Sequence, residues 1–172
     1  MPTLCLVLVL ILFSASSISC CTDHERNCLL QFLAGLSQDG HGGLAASWRH
    51  GTDCCSWEGV TCSSSTASKA ITITDILLAS KKLEGSISPA LGRLPGLQRL
   101  NLSHNSLSGG LPAEIMSSDS IVILDISFNL LYGDLQDSPA SSSSAASGRR
   151  IQVINVSSNS FSGRFLSSSW EC

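Results

Sequence analysis

The residues most able to do chemistry are the eight cysteines: Cys5, Cys20, Cys21, Cys28, Cys54, Cys55, Cys62 and Cys172. Six of them crowd between positions 20 and 62, a density typical of exported chains, where an oxidising compartment turns neighbouring thiols into disulfides. The competing chemistry is a metal site drawn from Cys20, Cys21, His24 and Cys28, but that spacing matches none of the common zinc patterns, and no metal or other cofactor is expected.

Nucleophilic catalysis fares no better. Of the histidines, His24, His41, His50 and His104, only His104 falls in a segment with strand alternation, and its nearest candidate partner is Asp125, one sequence repeat further on. Serine is too abundant for a Ser/His/Asp grouping to carry information. No Gly-x-Ser-x-Gly turn is present, and no glycine-rich phosphate loop follows a strand. The chain is not expected to be an enzyme.

Charged residues make up 13% of the sequence, the net charge is -3, and Lys and Arg are scattered. A nucleic-acid partner needs a concentrated basic face to displace counterions from phosphate, so none is expected; nor is a polybasic membrane patch. The first 19 residues read as a signal peptide. Leu4 to Phe13 is apolar over about half the length that spans a bilayer, and a small polar tract follows, with Ser17 and Ser19 suited to the −3 and −1 positions. The segment before the apolar run lacks Lys and Arg, and the competing assignment is an uncleaved anchor. No second segment could span a membrane. Cleavage after Ser19 leaves an odd number of cysteines.

The elements that position these residues begin with Thr22-Asp-His-Glu25, a capping box. Leu29, Phe32, Leu33 and Leu36 then recur as the apolar stripe of an amphipathic helix, with Gly40, Gly42 and Gly43 as its expected stop. A shorter helix is expected from Leu44 to Trp48, and a first short strand at Val60-Thr61.

Beyond position 70 one pattern repeats. Ile73-x-x-Ile76-x-Leu78-x-x-Lys81-x-Leu83-x-Gly85 is followed by Leu97-x-x-Leu100-x-Leu102-x-x-Asn105-x-Leu107-x-Gly109-x-Leu111-Pro112. Then come Ile121-x-x-Leu124-x-Ile126-x-x-Asn129-x-Leu131-x-Gly133 and Ile151-x-x-Ile154-x-Val156-x-x-Asn159-x-Phe161-x-Gly163. The starts are 24, 24 and 30 residues apart, the excess falling in a Ser-rich insertion at 138–148 read as a flexible loop on the convex or lateral side. Alternation within each repeat predicts a short strand with apolar residues inward, followed by a return along the outer side. The Asn at the strand's exit can satisfy backbone groups of the adjacent turn, so stacked repeats should build an Asn ladder. The expected fold is an α/β leucine-rich-repeat solenoid, with short parallel strands on the concave face and a helical, disulfide-bonded cap.

These residues resemble plant leucine-rich-repeat receptor ectodomains, most nearly those of receptor-like kinases and receptor-like proteins of the tyrosine-sulfated peptide (phytosulfokine) type. The resemblance rests on Leu97 to Pro112 and on the cap motif with Cys21, Leu29-Leu30, Trp48 and Cys54-Cys55-Ser-Trp57-Glu-Gly-Val60-Thr-Cys62. It implies disulfides Cys21–Cys54 and Cys55–Cys62, with Cys20 able to replace Cys21. It divides the chain into a signal peptide (1–19), an N-terminal cap (20–65), about four repeats (70–165) and a short tail (166–172), which is expected to be a truncated end. It also implies a peptide or protein ligand or a co-receptor as partner, and a location outside the cell or on the plasma-membrane surface. A secreted inhibitor of a foreign wall-degrading enzyme is the competing function.

The binding face follows from strand alternation. Its candidate residues are Gln98, Arg99, His104, Asp125, Phe128 and Gln152, among concave positions that also include Thr74, Asp75, Leu77, Ser103, Ile123, Ser127 and Val153. Asn101-Leu-Ser103 and Asn155-Val-Ser157 are N-glycosylation sequons, so Asn101 and Asn155 are candidate modification sites on the same face.

Overall fold

A computed structural model describes residues 21–64, 70–135 and 151–162. The signal peptide, Cys20, the Ser-rich insertion and the tail with Cys172 lie outside the described residues.

The first helix, α1 (Asp23–Ala34), starts where the capping box places it. Thr22 Oγ1 accepts from the Glu25 N–H at 3.2 Å, and the Thr22 N–H donates to Glu25 Oε2 at 2.9 Å. The helix stops earlier than the glycine run suggested. Gly35 closes it, its N–H bonding Gln31 O and Phe32 O. Leu36, expected on the helical stripe, instead opens strand β1 (Leu36–His41). The reason is tertiary: β1 pairs antiparallel with β4 (Leu83–Ser86) of the first repeat. At that crossing a Cβ on Gly85, whose φ is +122°, would stand 2.4 Å from Gly35 O, so the approach requires a glycine. The short helix α2 (Leu44–Ser47) follows as expected.

Two sheets then run the length of the stack. One holds β2 (Val60–Ser64), β3 (Ile71–Leu77), β5 (Arg99–Asn101), β7 (Ile123–Asp125) and β9 (Val153–Asn155) in that order. The other holds β1, β4, β6 (Ser106–Gly109), β8 (Leu130–Asp134) and β10 (Ser160–Ser162). The repeats pair in parallel in both sheets, while each sheet begins with an antiparallel strand from the cap, β2 on β3 and β1 on β4. The cap thus covers the otherwise open first edge of both sheets. The first sheet is the concave one expected from alternation. The second departs from the expectation of a plain return path after each Asn. A single-turn helix, α3 (Ala113–Met116), lies on the outer side of the second repeat.

The core is the apolar pattern of the repeats turned inward. Ile76, Leu100 and Leu124 are register partners on adjacent strands, and all three are fully buried. The Asn ladder forms as expected. Asn105 Oδ1 accepts from the N–H groups of Lys81 and Leu83, both at 3.0 Å, while its Nδ2 donates to Leu78 O and Leu102 O. Asn129 and Asn159 repeat this toward Leu107 and Leu131. Each amide therefore bridges its own coil to the preceding one, supplying partners for backbone that the strands leave unpaired.

The cap is held by Cys21–Cys54 and Cys55–Cys62, with Cα–Cα distances of 5.9 and 5.5 Å, which is the pairing the family resemblance implied. Trp48 and Trp57 stack at 5.5 Å beneath it, each indole N–H satisfied, by Glu58 O and by Thr52 Oγ1. Glu25 does more than cap its helix. Its Oε1 accepts from Thr72 Oγ1 at 2.5 Å and the Ile73 N–H at 2.9 Å, so one buried carboxylate ties α1 to the first repeat strand.

Candidate binding face

Strand register places the concave residues in rows that run across the solenoid. One row is Asp75, Arg99, Ile123 and Val153; the next is Leu77, Asn101, Asp125 and Asn155. Between them the inward row from Ile76 to Ile154 anchors the strands in the core. Gln98, Arg99, His104, Phe128 and Gln152 are exposed and Asp125 is half-buried, so the six candidates share one surface.

Four expected surface residues are buried instead. Thr74 and Asp75 are covered because β2 extends the sheet beside them and Arg99 lies over Asp75. Ser103 and Ser127 turn back onto the strand. Asn101 Oδ1 accepts from the Ser103 N–H at 3.0 Å and hydroxyl at 2.8 Å; Asp125 Oδ1 does the same for Ser127 at 3.0 and 2.7 Å. Asn155 and Ser157 repeat the turn. In both sequons the asparagine Oδ1 is used while Nδ2, the atom a glycan would occupy, makes no hydrogen bond among the described residues.

His104 does not meet Asp125. Its ring stacks on Phe128, centroids 4.3 Å apart and planes 9° from parallel. Both residues sit in left-handed backbone, with φ of 55° and 53°, as do Ser80 and Ser158 at the same place in their repeats. Hydrogen bonds between coils impose this conformation: the Ser80, His104 and Phe128 N–H groups donate to the carbonyls of Ser103, Ser127 and Ser157. For a residue as bulky as Phe128 such backbone is uncommon, and the strain is sustained by the ladder around it.

The main electrostatic feature is Arg99 over Asp75. The Arg99 Nε–H donates to Asp75 Oδ1, and Thr74 Oγ1 donates to Oδ2 at 2.8 Å. Burial pushes the Asp75 carboxyl up, but the Arg99 and Thr74 hydrogen bonds outweigh it and hold the group below the ordinary carboxylate range. The same hydrogen bond raises the Arg99 guanidinium.

Cys21, Asp53 and Cys54 converge closely enough to suggest a metal, but both sulfurs are in the disulfide and Asp53 Oδ1 accepts from the Cys55 N–H. Cys28 is a buried thiol 3.8 Å from His24 Nε2, raised by desolvation. Leu130 and Tyr132, 61% and 57% exposed on the outer side of the second sheet, were missed by sequence reasoning. Their signal was the alternation Leu130-x-Tyr132 around inward Leu131, legible only once a second strand per repeat is recognised.

Residues 22–63 match the leucine rich repeat N-terminal domain, and residues 96–118 match the Leucine Rich Repeat family. The chain is a leucine-rich-repeat protein. Among relatives, the Phytosulfokine receptor 1 of Arabidopsis thaliana is 31% identical over 170 residues, covering 88% of this chain and 16% of the receptor. Receptor-like protein 3 from the same plant is 38% identical over 114 residues, 66% of this chain and 14% of that protein. The leucine-rich-repeat chain thus spans about a sixth of the length of these relatives. A solved structure of the Arabidopsis receptor kinase HAESA, in complex with the peptide hormone IDA and the co-receptor SERK1, superposes with a TM-score of 0.65 at 26% identity, over 81% of this chain and 22% of that one. No helix among the described residues of the leucine-rich-repeat chain is long and apolar enough to cross a membrane.

Proposed function

We propose that the chain is an extracellular recognition module of receptor type, binding a peptide or protein partner on its concave sheet, and that it does no catalysis. The observation that carries this is the concave surface itself. Arg99, Ile123, Val153 and Asp125 stand on parallel strands, and His104 and Phe128 on the bends that follow β5 and β7, all on backbone fixed by core packing and the Asn ladder. Rigid strands carrying varied side chains are how solenoids present extended binding surfaces. The relatives named as receptors, and the solved complex of one neighbour with a peptide hormone and a co-receptor, support the same reading.

Asn101 and Asn155 are glycosylation sites in this reading, in the same row with Asp125 between them. Glycans there would flank Asp125 and restrict approach along the Asn row, leaving the Arg99–Val153 row and the His104–Phe128 stack as the main open approaches.

Two measurements test the proposal. The secreted, disulfide-bonded chain is panned against a phage library of random dodecapeptides. Binders should be recovered, and should be lost when Gln98, Phe128 and Gln152 are replaced by Ser together with Arg99 by Lys, which keeps a cation beside buried Asp75, at an unchanged melting temperature. Binders indifferent to those changes would remove the concave face from the proposal. The intact mass of the native, deglycosylated product from source tissue then shows the form in which the module works. A mass near 18.1 kDa less the signal peptide means a short secreted protein, and a much larger one means a section of a receptor.

A further inference from the structure

The row Asp75, Arg99, Ile123, Val153 is asymmetric in a way that specifies a ligand. At its start Asp75 is buried and its carboxylate oxygens are taken by Arg99 and Thr74. Arg99 uses only its Nε–H in that contact. Its side chain is 54% exposed, and its two terminal nitrogens make no hydrogen bond among the described residues. The guanidinium is thereby oriented before any ligand arrives, with an edge of N–H donors toward solvent. A planar fork held in this way suits a carboxylate, and little rotamer freedom remains to be lost on binding. Because Asp75 balances the charge of Arg99, attraction comes from aligned hydrogen bonds at short range and not from a distant field.

The rest of the row is apolar. Ile123 and Val153 are register partners, 37% and 54% exposed. Neighbouring strands stand about 4.8 Å apart, which puts Ile123 one strand spacing and Val153 two from Arg99. An extended peptide presents residues i and i+2 on one face about 6.6 Å apart, a separation that spans from Arg99 to the Ile123–Val153 pair. Asp125 lies two residues along β7 from Ile123. It spends Oδ1 on Ser127, and Oδ2 has no hydrogen bond among the described residues. That free oxygen repels a second anionic group beside the apolar pair and confines the carboxylate to the Arg99 side.

We propose that the concave face selects a peptide segment with a carboxylate and, two residues away, an aliphatic or aromatic side chain, the carboxylate on Arg99 and the apolar group on Ile123 and Val153. This rests on the recognition reading above and names the ligand chemistry for it.

The test uses the binders from the same library, made as synthetic peptides with amidated C-termini and measured by titration against the full secreted chain. The selected sequences should share an Asp or Glu two positions from an apolar residue. Affinity should fall roughly tenfold or more for Arg99→Gln and for Ile123→Ser, and likewise when the peptide's Asp becomes Asn. Arg99→Lys guards against misfolding around an unpaired Asp75: it keeps the charge and loses the fork, so it should also weaken binding. Peptides that bind only with a free C-terminus would assign the carboxylate to the chain end instead of a side chain, with the same dependence on Arg99. Binders that lack an acidic group, or that ignore Arg99 while depending on the other concave residues, overturn this inference and leave the recognition reading standing. Failure to recover any concave-face binder overturns both.

Discussion

Glu25 shows how one side chain can serve two levels of structure. A capping-box glutamate ordinarily satisfies the start of its own helix. Here the second oxygen reaches the first repeat strand, so the carboxylate accepts from Thr22, Thr72 and Ile73 at once. Burial alone would raise its pKa, but these donors outweigh it and hold the group below its ordinary value of 4.5. The folded state therefore prefers the ionised form more strongly than the unfolded chain does. The stabilisation is complete above the unfolded value and is lost as pH falls through the lower folded value. Denaturant midpoints measured from pH 7 downward should decline in the acid range, and Glu25→Gln should lower the midpoint at pH 7 while flattening that decline. Asp75, also depressed, adds an acid-side slope of the same sign that Glu25→Gln leaves in place. An unchanged acid slope in the variant would mean that Glu25 does not anchor the cap to the repeats.

Among elements, what was legible in the sequence was whatever periodicity enforces. The positions of Leu97, Leu100, Leu102 and Asn105 predicted the concave strand, the inward residues and the ladder, because each follows from spacing within one repeat. What was illegible depends on contacts between distant segments. The edge strand of the second sheet forms only because β1, from the cap, pairs with β4 some fifty residues later, and nothing local to Leu36–His41 marks it as a strand. The burial of Asp75 and the stacking of His104 on Phe128 are likewise set by neighbouring coils. The cap's contribution can be separated by bridge. Cys21–Cys54 closes a separation of 33 residues and Cys55–Cys62 one of 7. On loop-closure entropy alone, removing the first pair by double Ser substitution should cost about 4 kcal/mol, and removing the second about 2 kcal/mol. Urea unfolding of the two double variants checks the order. Equal losses would show that both bridges act by holding native packing at the cap and not by restricting the unfolded chain.

At the scale of the molecule, a solenoid is a line of coils in which each contacts only its neighbours, so stability need not be shared evenly along it. The inward residues grade accordingly. Leu100, Leu102, Leu124 and Ile126 in the second and third repeats are fully buried, whereas Ile154, Val156 and Phe161 in the fourth are only partly so. At the other end, two disulfides, the Trp pair and the Glu25 contacts brace the cap. In the 172-residue chain produced by itself, local opening should therefore begin at β9 and β10 and proceed toward the cap, with free energies rising along the way. Hydrogen exchange followed by peptide mass should show the slowest amides in β5 and β7 and faster exchange in β9 and β10, though β9 holds the same place in its repeat as β5 and β7. Arg99 and Ile123 would then lie on the protected stretch and Val153 on the one that opens. A peptide that spans all three should slow exchange in β9 more than in β5, since it lends the fourth coil a contact with the more stable second. Uniform exchange across the four strands would mean that the coils unfold as one cooperative unit, and binding would then protect them all alike.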